Sequence, residues 1–290
     1  MTRSITRAIV VAFHKYTLFG GEYYEPLLSF FLQNLKKYEK EFDRVYLVDS
    51  TWNISPASHH LPKNAVVMKV DPHLRYYDAY KKVLPDIQED TVLFMDDDMV
   101  VYREGKIGNA FAILESGNAD VISIYDTIGT MKVELPNGKN KFCPYWFAAY
   151  KSKLMKYLDV DWSPDAMPYT ETFGLLTEAM LKDKLKSYEF EEDKGSYLFS
   201  DTSKGEKGKD LGYYHIRSGS TPAYLLATRE HGNKQVYLDY INHQPRNEYL
   251  RQCAWYTHMG GSVCPILEDL DISETEWLEY MIRFKDYHGL

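Results

Sequence analysis

The polar and apolar positions in the first half of the chain follow two rhythms in turn. Residues 8–13 are an unbroken apolar run, and Tyr24, Leu27, Leu28, Phe31, Leu32 and Leu35 then recur at the spacing of a helix with one buried face. The succession repeats: strands are predicted over residues 44–48, 65–70, 91–95 and 121–125, with helices near 77–83 and 107–114. Strands alternating with helices imply an α/β fold, because parallel neighbours need crossover helices and those helices pack on the sheet. The sheet is expected to be mostly parallel and covered on both faces, which accounts for strands that are apolar throughout.

Sheets of this kind take their ligands beyond the carboxyl ends of the strands. Polar residues stand at each of those places: His14 and Lys15, then Asp49, Ser50 and Thr51, then Asp71 and His73, then Asp96, Asp97 and Asp98, then Asp126 and Thr127. Five strand ends thus aim polar groups at one edge.

After Gly129 the rhythm changes. A hairpin is expected around Pro136-Asn137-Gly138, followed by an aromatic segment over 142–150, a helix over 172–185 and a Gly- and Lys-rich loop over 201–212. From residue 219 onward the pattern is helical, and Ser273 with Glu276 forms a capping box for a terminal helix through Trp277, Tyr280 and Met281. Residues 1–218 are therefore expected to make one domain, in halves 1–128 and 129–218, with 219–290 a helical extension.

Composition narrows the ligands. A net charge of -8 disfavours a surface that grips nucleic acid or anionic lipid non-specifically. Cys143, Cys253 and Cys264 fit neither a zinc spacing nor a disulfide framework. No stretch has the length of a membrane span or a signal-peptide core, so a cytoplasmic protein is expected.

The triplet Asp96-Asp97-Asp98 lies between the apolar runs 92–95 and 99–101. Three adjacent carboxylates among apolar residues are costly unless a cation is present. If the chain stays extended, Asp96 and Asp98 point to one side and Asp97 to the other. Two carboxylates completed by substrate phosphates suit magnesium or manganese. A solvated Asp-rich turn is the plainer alternative.

The segment "VLFMDDDMVV" resembles the DxD motif of glycosyltransferases of the GT-A fold, preceded as in that family by strand-helix units that bind the nucleotide. The likeness covers about the first 220 residues as an order of elements, and only the DxD segment is specific. It implies a nucleoside diphosphate sugar donor, with Asp96 near the ribose or a metal-bound water and Asp98 on Mn2+ or Mg2+. By the same resemblance Phe13, His14 and Lys15 hold the nucleobase, Asp49 reads base or ribose, and Arg75 and Asp78 add nucleotide contacts. Asp49 equally reads as a turn cap, and Arg75 as a surface charge. The family often adds a C-terminal His to the metal, here His215, although a lone His among aromatics also reads as a packed core residue. Lys207 and Lys209, in the Gly-rich loop, would counter the diphosphate charge.

Inverting transfer needs a carboxylate base on the acceptor hydroxyl. Glu171 occupies the corresponding place, without the acidic partner the family usually carries, and Asp165 is its rival. Glu171 also reads as a charge favouring a helix N-terminus. Inversion is the favoured course, with retention open. Trp146 is read as a stacking surface in the acceptor cleft, where core packing is the alternative. The expected acceptor is a glycan or small glycoside, a modified base in DNA being the minority option. Two rivals remain, a nucleotidyltransferase and a non-catalytic nucleotide-sugar binder. The first is disfavoured because Gly20-Gly21 lacks the partners of a phosphate loop.

Overall fold

Both faces of the first strand are dry. In the computed structural model, which describes residues 4–13, 21–50, 60–101, 104–124, 133–134, 140–141, 146–163, 173–190, 213–215, 221–232, 234–243, 246–261, 269, 271–288 and 290, β1 (Arg7–Phe13) lies inside a seven-stranded sheet. The other strands of that sheet are β2 (Arg44–Asp49), β3 (Ala65–Lys69), β4 (Thr91–Met95), β6 (Val121–Ile124), β9 (Trp146–Tyr150) and β10 (Ser187–Phe190), in the order β10-β6-β9-β4-β1-β2-β3. Six of these strands run parallel, and β9 runs against β4 and β6. The expected mostly parallel α/β sheet is therefore present, with one reversed strand supplied by the aromatic segment.

Alternation along each strand divides two apolar layers. Ile9, Val11 and Phe13 face one with Leu93, Met95 and Ile122, while Ala8, Val10 and Ala12 face the other with Val92, Phe94 and Phe147. The first layer is closed by α1 (Gly21–Lys37) and α3 (Lys106–Glu115). The second is closed by α2 (Tyr76–Val83), the short α4 (Lys151–Leu154) and α5 (Gly174–Lys182). The helix expected over 172–185 is shorter because Phe173 takes a positive φ of 65° before it and the chain turns at Asp183 and Lys184 after it.

Beyond residue 220 come α6 (Thr221–His231), α7 (Lys234–His243), α8 (Arg246–His258) and α9 (Glu274–His288). They share the α1 layer: Leu225, Leu226, Tyr249, Trp255 and Phe284 belong to the same apolar cluster as Leu27 and Phe31. Tyr256 donates its hydroxyl proton to the carbonyl of Tyr23 at 2.8 Å, tying α8 to the first turn of α1. The capping box forms as expected, Glu276 accepting from the Ser273 amide and hydroxyl at 2.9 and 2.8 Å while its own amide donates to Ser273 Oγ. The hairpin strands pair as β7 (Val133–Glu134) with β8 (Asn140–Lys141), and the turn residues between them lie outside the described residues. No described helix is long and apolar enough to cross a membrane.

Candidate active site at the carboxyl edge

The site is set by where neighbouring strands part. From β1 the chain moves to β2 on one side, and from β4 it moves to β6 on the other, so the β1/β4 boundary is the switch point of the sheet, where open α/β sheets form their ligand crevice. Val11 and Met95 are the last paired residues of the two strands. One residue later Tyr80 of α2, fully buried, bridges them: it accepts from the Ala12 amide at 3.3 Å and donates to the Met95 carbonyl at 3.1 Å. Burial, then the charge of Asp96, pushes its phenol well above the ordinary tyrosine value, so it stays a neutral donor.

Met95 leads directly into the acidic triplet, and here the expectation of an extended chain is corrected. Residues 97 and 98 form a turn closed by the Met99 amide on the Asp96 carbonyl at 3.3 Å. The chain then leaves the main sheet as β5 (Met99–Val101), which pairs antiparallel with β11 (Tyr213–His215). A straight continuation would thread charges through a dry sheet, and the turn avoids that.

The three carboxylates are thereby sorted. Asp98 is buried, Asp96 is half-buried, and Asp97 accepts a hydrogen bond from the Tyr24 hydroxyl of α1. Desolvation first, then the charge of Asp98, raises the Asp97 carboxyl above the usual range, against the Tyr24 bond, which lowers it. Further along α1, Asn34 holds the outgoing strand: its Nδ2 donates to the Val101 carbonyl at 2.8 Å and its Oδ1 accepts from the Val101 amide at 2.9 Å. Neither Tyr24, Asn34 nor Tyr80 was among the expected site residues. The available signal was a polar residue, Asn34, beside the apolar stripe of α1.

The other expected residues fall as follows. Asp49 ends β2 with no exposed surface, and Ser50 beside it donates from amide and hydroxyl to the Phe13 carbonyl at 3.3 and 2.6 Å. Phe13 closes β1 instead of opening the loop, with its ring in the core against Phe31 at 5.7 Å. Only its backbone is left near the edge. Arg75 caps α2 in an extended conformation, and Asp78 lies in the first turn of that helix; both are exposed. Trp146 opens β9 and pairs with Ile124, which puts its backbone at the same edge between the ends of β4 and β6. His215 pairs with Met99, the residue after Asp98. For Trp146 and His215 the backbone alone is described. His14, Lys15, Asp165, Glu171, Lys207 and Lys209 lie outside the described residues. Among the described residues no group of three potential metal-binding side chains is found.

No protein-family profile matches the chain. No curated protein matches it either. Solved structures similar to it include the bifunctional IspDF from Campylobacter jejuni, at 14% identity and a TM-score of 0.42, covering 64% of this chain and 49% of that one. They also include a 4-diphosphocytidyl-2C-methyl-D-erythritol synthase from Anaerococcus prevotii DSM 20548, at 14% identity and a TM-score of 0.43, covering 64% and 88%. A third is S. aureus TarS 1-349, at 14% identity and 0.43, covering 98% and 81%. The chain spans about half the length of the IspDF protein. Identities and scores are too low for these likenesses to bear on activity.

Proposed function

We propose that the chain is a metal-dependent glycosyltransferase of the GT-A type, moving a sugar from a nucleoside diphosphate sugar to an acceptor hydroxyl. The observation that carries the reading is the acidic turn at the switch point, with the buried Asp98 one residue from the β5–β11 pairing that contains His215. The donor set fits a divalent cation: carboxylate oxygens of Asp96 and Asp98 with an imidazole from His215 suit manganese better than magnesium. A cation held there neutralises charge on the diphosphate leaving group.

The chain's own residues do the rest. His14 and Lys15 bind the nucleoside, and Arg75 and Asp78 flank it, while Asp49, which has no exposed surface, holds the end of β2. Lys207 and Lys209 offset the diphosphate charge, and Trp146 gives the acceptor a flat apolar surface. Glu171, with Asp165 as its rival, takes the proton of the acceptor hydroxyl as that oxygen attacks the anomeric carbon, giving inversion. Residues 1–128 form the donor half, 129–218 the acceptor half and 219–290 the helical extension, in a cytoplasmic protein whose acceptor is a glycan or small glycoside.

The test is a panel of nucleotide-sugars with manganese, read as release of nucleoside diphosphate. One donor should turn over, and Asp98→Asn should lower that turnover by about 100-fold or more, since several kcal/mol of charge stabilisation at about 1.4 kcal/mol per tenfold is lost. Turnover unchanged in Asp98→Asn would refute the assignment. Pyrophosphate release from a nucleoside triphosphate would indicate a nucleotidyltransferase, and binding without turnover a non-catalytic nucleotide-sugar binder.

A further inference from the structure

Three carboxylates in one turn repel one another, and the surrounding structure treats the middle one differently from its neighbours. The Asp97 carboxyl is turned to α1, where it accepts from the Tyr24 hydroxyl. Tyr24 is 1% exposed and packs with Leu27, Leu28 and Phe31, so its ring does not follow the turn if the turn moves. Its neighbour Tyr23 is anchored through its carbonyl by Tyr256 of α8, and Asn34 of the same helix holds both backbone groups of Val101. One rigid helix therefore grips the acidic segment at residue 97 and at residue 101, while β11 closes the edge of β5 between them.

We infer that Tyr24 is a positioning residue of the acidic turn: by holding Asp97 on the α1 side, it fixes the turn in the shape that offers a divalent cation two carboxylates, those of Asp96 and Asp98. This rests on the cation-site reading above. Without the hydroxyl, the half-buried Asp97 carboxylate keeps only the hydrogen bond from its own backbone amide among those that hold it, and it recovers the lost donor by turning toward solvent. In a turn closed by the Met99 amide on the Asp96 carbonyl, that reorientation carries Asp96 and Asp98 with it. The effect travels through the charge of Asp97 and not through the packing of the Tyr24 ring.

The test is Mn2+ alone, titrated by electron paramagnetic resonance into the full chain and its variants, with circular dichroism and a thermal melt on each. Tyr24→Phe keeps the ring and the fold, and should weaken Mn2+ binding about tenfold, the size expected for a lost hydrogen bond to a charged group. Asp97→Asn keeps an acceptor for Tyr24 and should bind Mn2+ within about threefold of the parent, less than a lost charged hydrogen bond. The double variant removes the stranded charge and should return to within about threefold of the parent. Unchanged affinity in Tyr24→Phe overturns the inference. So does a double variant as weak as Tyr24→Phe, since the loss then comes from packing, and so does a large loss in Asp97→Asn, since Asp97 is then itself a ligand. Asp98→Asn is the independent arm: if it leaves Mn2+ affinity intact, the cation-site reading fails regardless of Tyr24.

Discussion

Asn34→Leu isolates the clamp on the outgoing strand, because leucine keeps the branched heavy-atom skeleton of asparagine and removes both hydrogen-bonding atoms of its amide. Two hydrogen bonds are lost, of 2.8 and 2.9 Å, both to the backbone of Val101, a residue 1% exposed. The cost is more than two average hydrogen bonds, since the amide and carbonyl of Val101 keep their desolvation without a partner. At about 1–3 kcal/mol for each orphaned group, and with Asn34 itself half-buried, the lower half of that range gives about 2–4 kcal/mol in total. For a chain of this size that is a fall of about 3–7 °C in Tm. The assay is urea denaturation followed by circular dichroism, with Gln33→Leu as control. Gln33 is exposed one position earlier on α1, and its substitution should stay within about 0.5 kcal/mol of the parent. A loss below about 0.5 kcal/mol in Asn34→Leu would refute the reasoning, because it would mean that water or a shifted strand satisfies Val101 without the clamp.

Two further outcomes follow from features away from the edge. His288 packs among Trp255, Phe284 and Tyr287, and burial first, then the charges of Arg251 and His258, pushes it down to about 3. His258 is lowered in the same direction by burial and Lys285. The folded state thus binds fewer protons than the unfolded state below the ordinary histidine value, so stability is full above about pH 6.5 and falls toward pH 3, by up to about 1.4 kcal/mol per pH unit for His288. His288→Phe should flatten that slope in melts between pH 6.5 and 4, and a slope equal to the parent's would refute it. A Cβ on Gly261 would stand 2.3 Å from the ring of Tyr256, which is pinned by its bond to Tyr23. Gly261→Ala should therefore cost about 1–3 kcal/mol by overpacking in urea melts, and a neutral result would show that the ring moves freely.

The legible part of the fold was the part written in periodicity. Unbroken apolar runs at β1, β2 and β4 marked strands buried on both faces, the stripe of α1 marked its buried side, and the Ser273–Glu276 pair marked the start of α9 to the residue. The acidic edge was legible for the same reason, since Asp49 at the end of β2 and Asp96 after β4 stand at one end of parallel strands. What could not be read depends on partners far away in sequence. The reversal of β9 is decided by its neighbours β4 and β6, and nothing local in Trp146–Tyr150 states a direction. The triplet read as extended because apolar runs flank it on both sides, although its Asp residues equally suit a turn. It turns because residues 213–215 and Asn34 draw the next strand out of the main sheet, and strands of three residues such as β5 and β11 are too short to show a period. Phe13 was assigned to the loop by likeness, but alternation along β1 already placed it with Ile9 and Val11 on the buried face.

The pairing of β5 with β11 also fixes when the edge can exist. Met99 finds His215 only after more than a hundred intervening residues have been made, so this ladder has a high contact order and its closure waits on a long loop. During synthesis the main sheet neighbours of β1 and β2 are available early, whereas β5, the apolar run Met99-Val100-Val101, keeps an open edge until residue 215 has left the ribosome. A nascent chain shorter than that has only α1 to hold the acidic turn. The acidic turn therefore gains its second strand late, and a ribosome paused between residues 101 and 213 would present an aggregation-prone edge that the finished protein covers with its own chain.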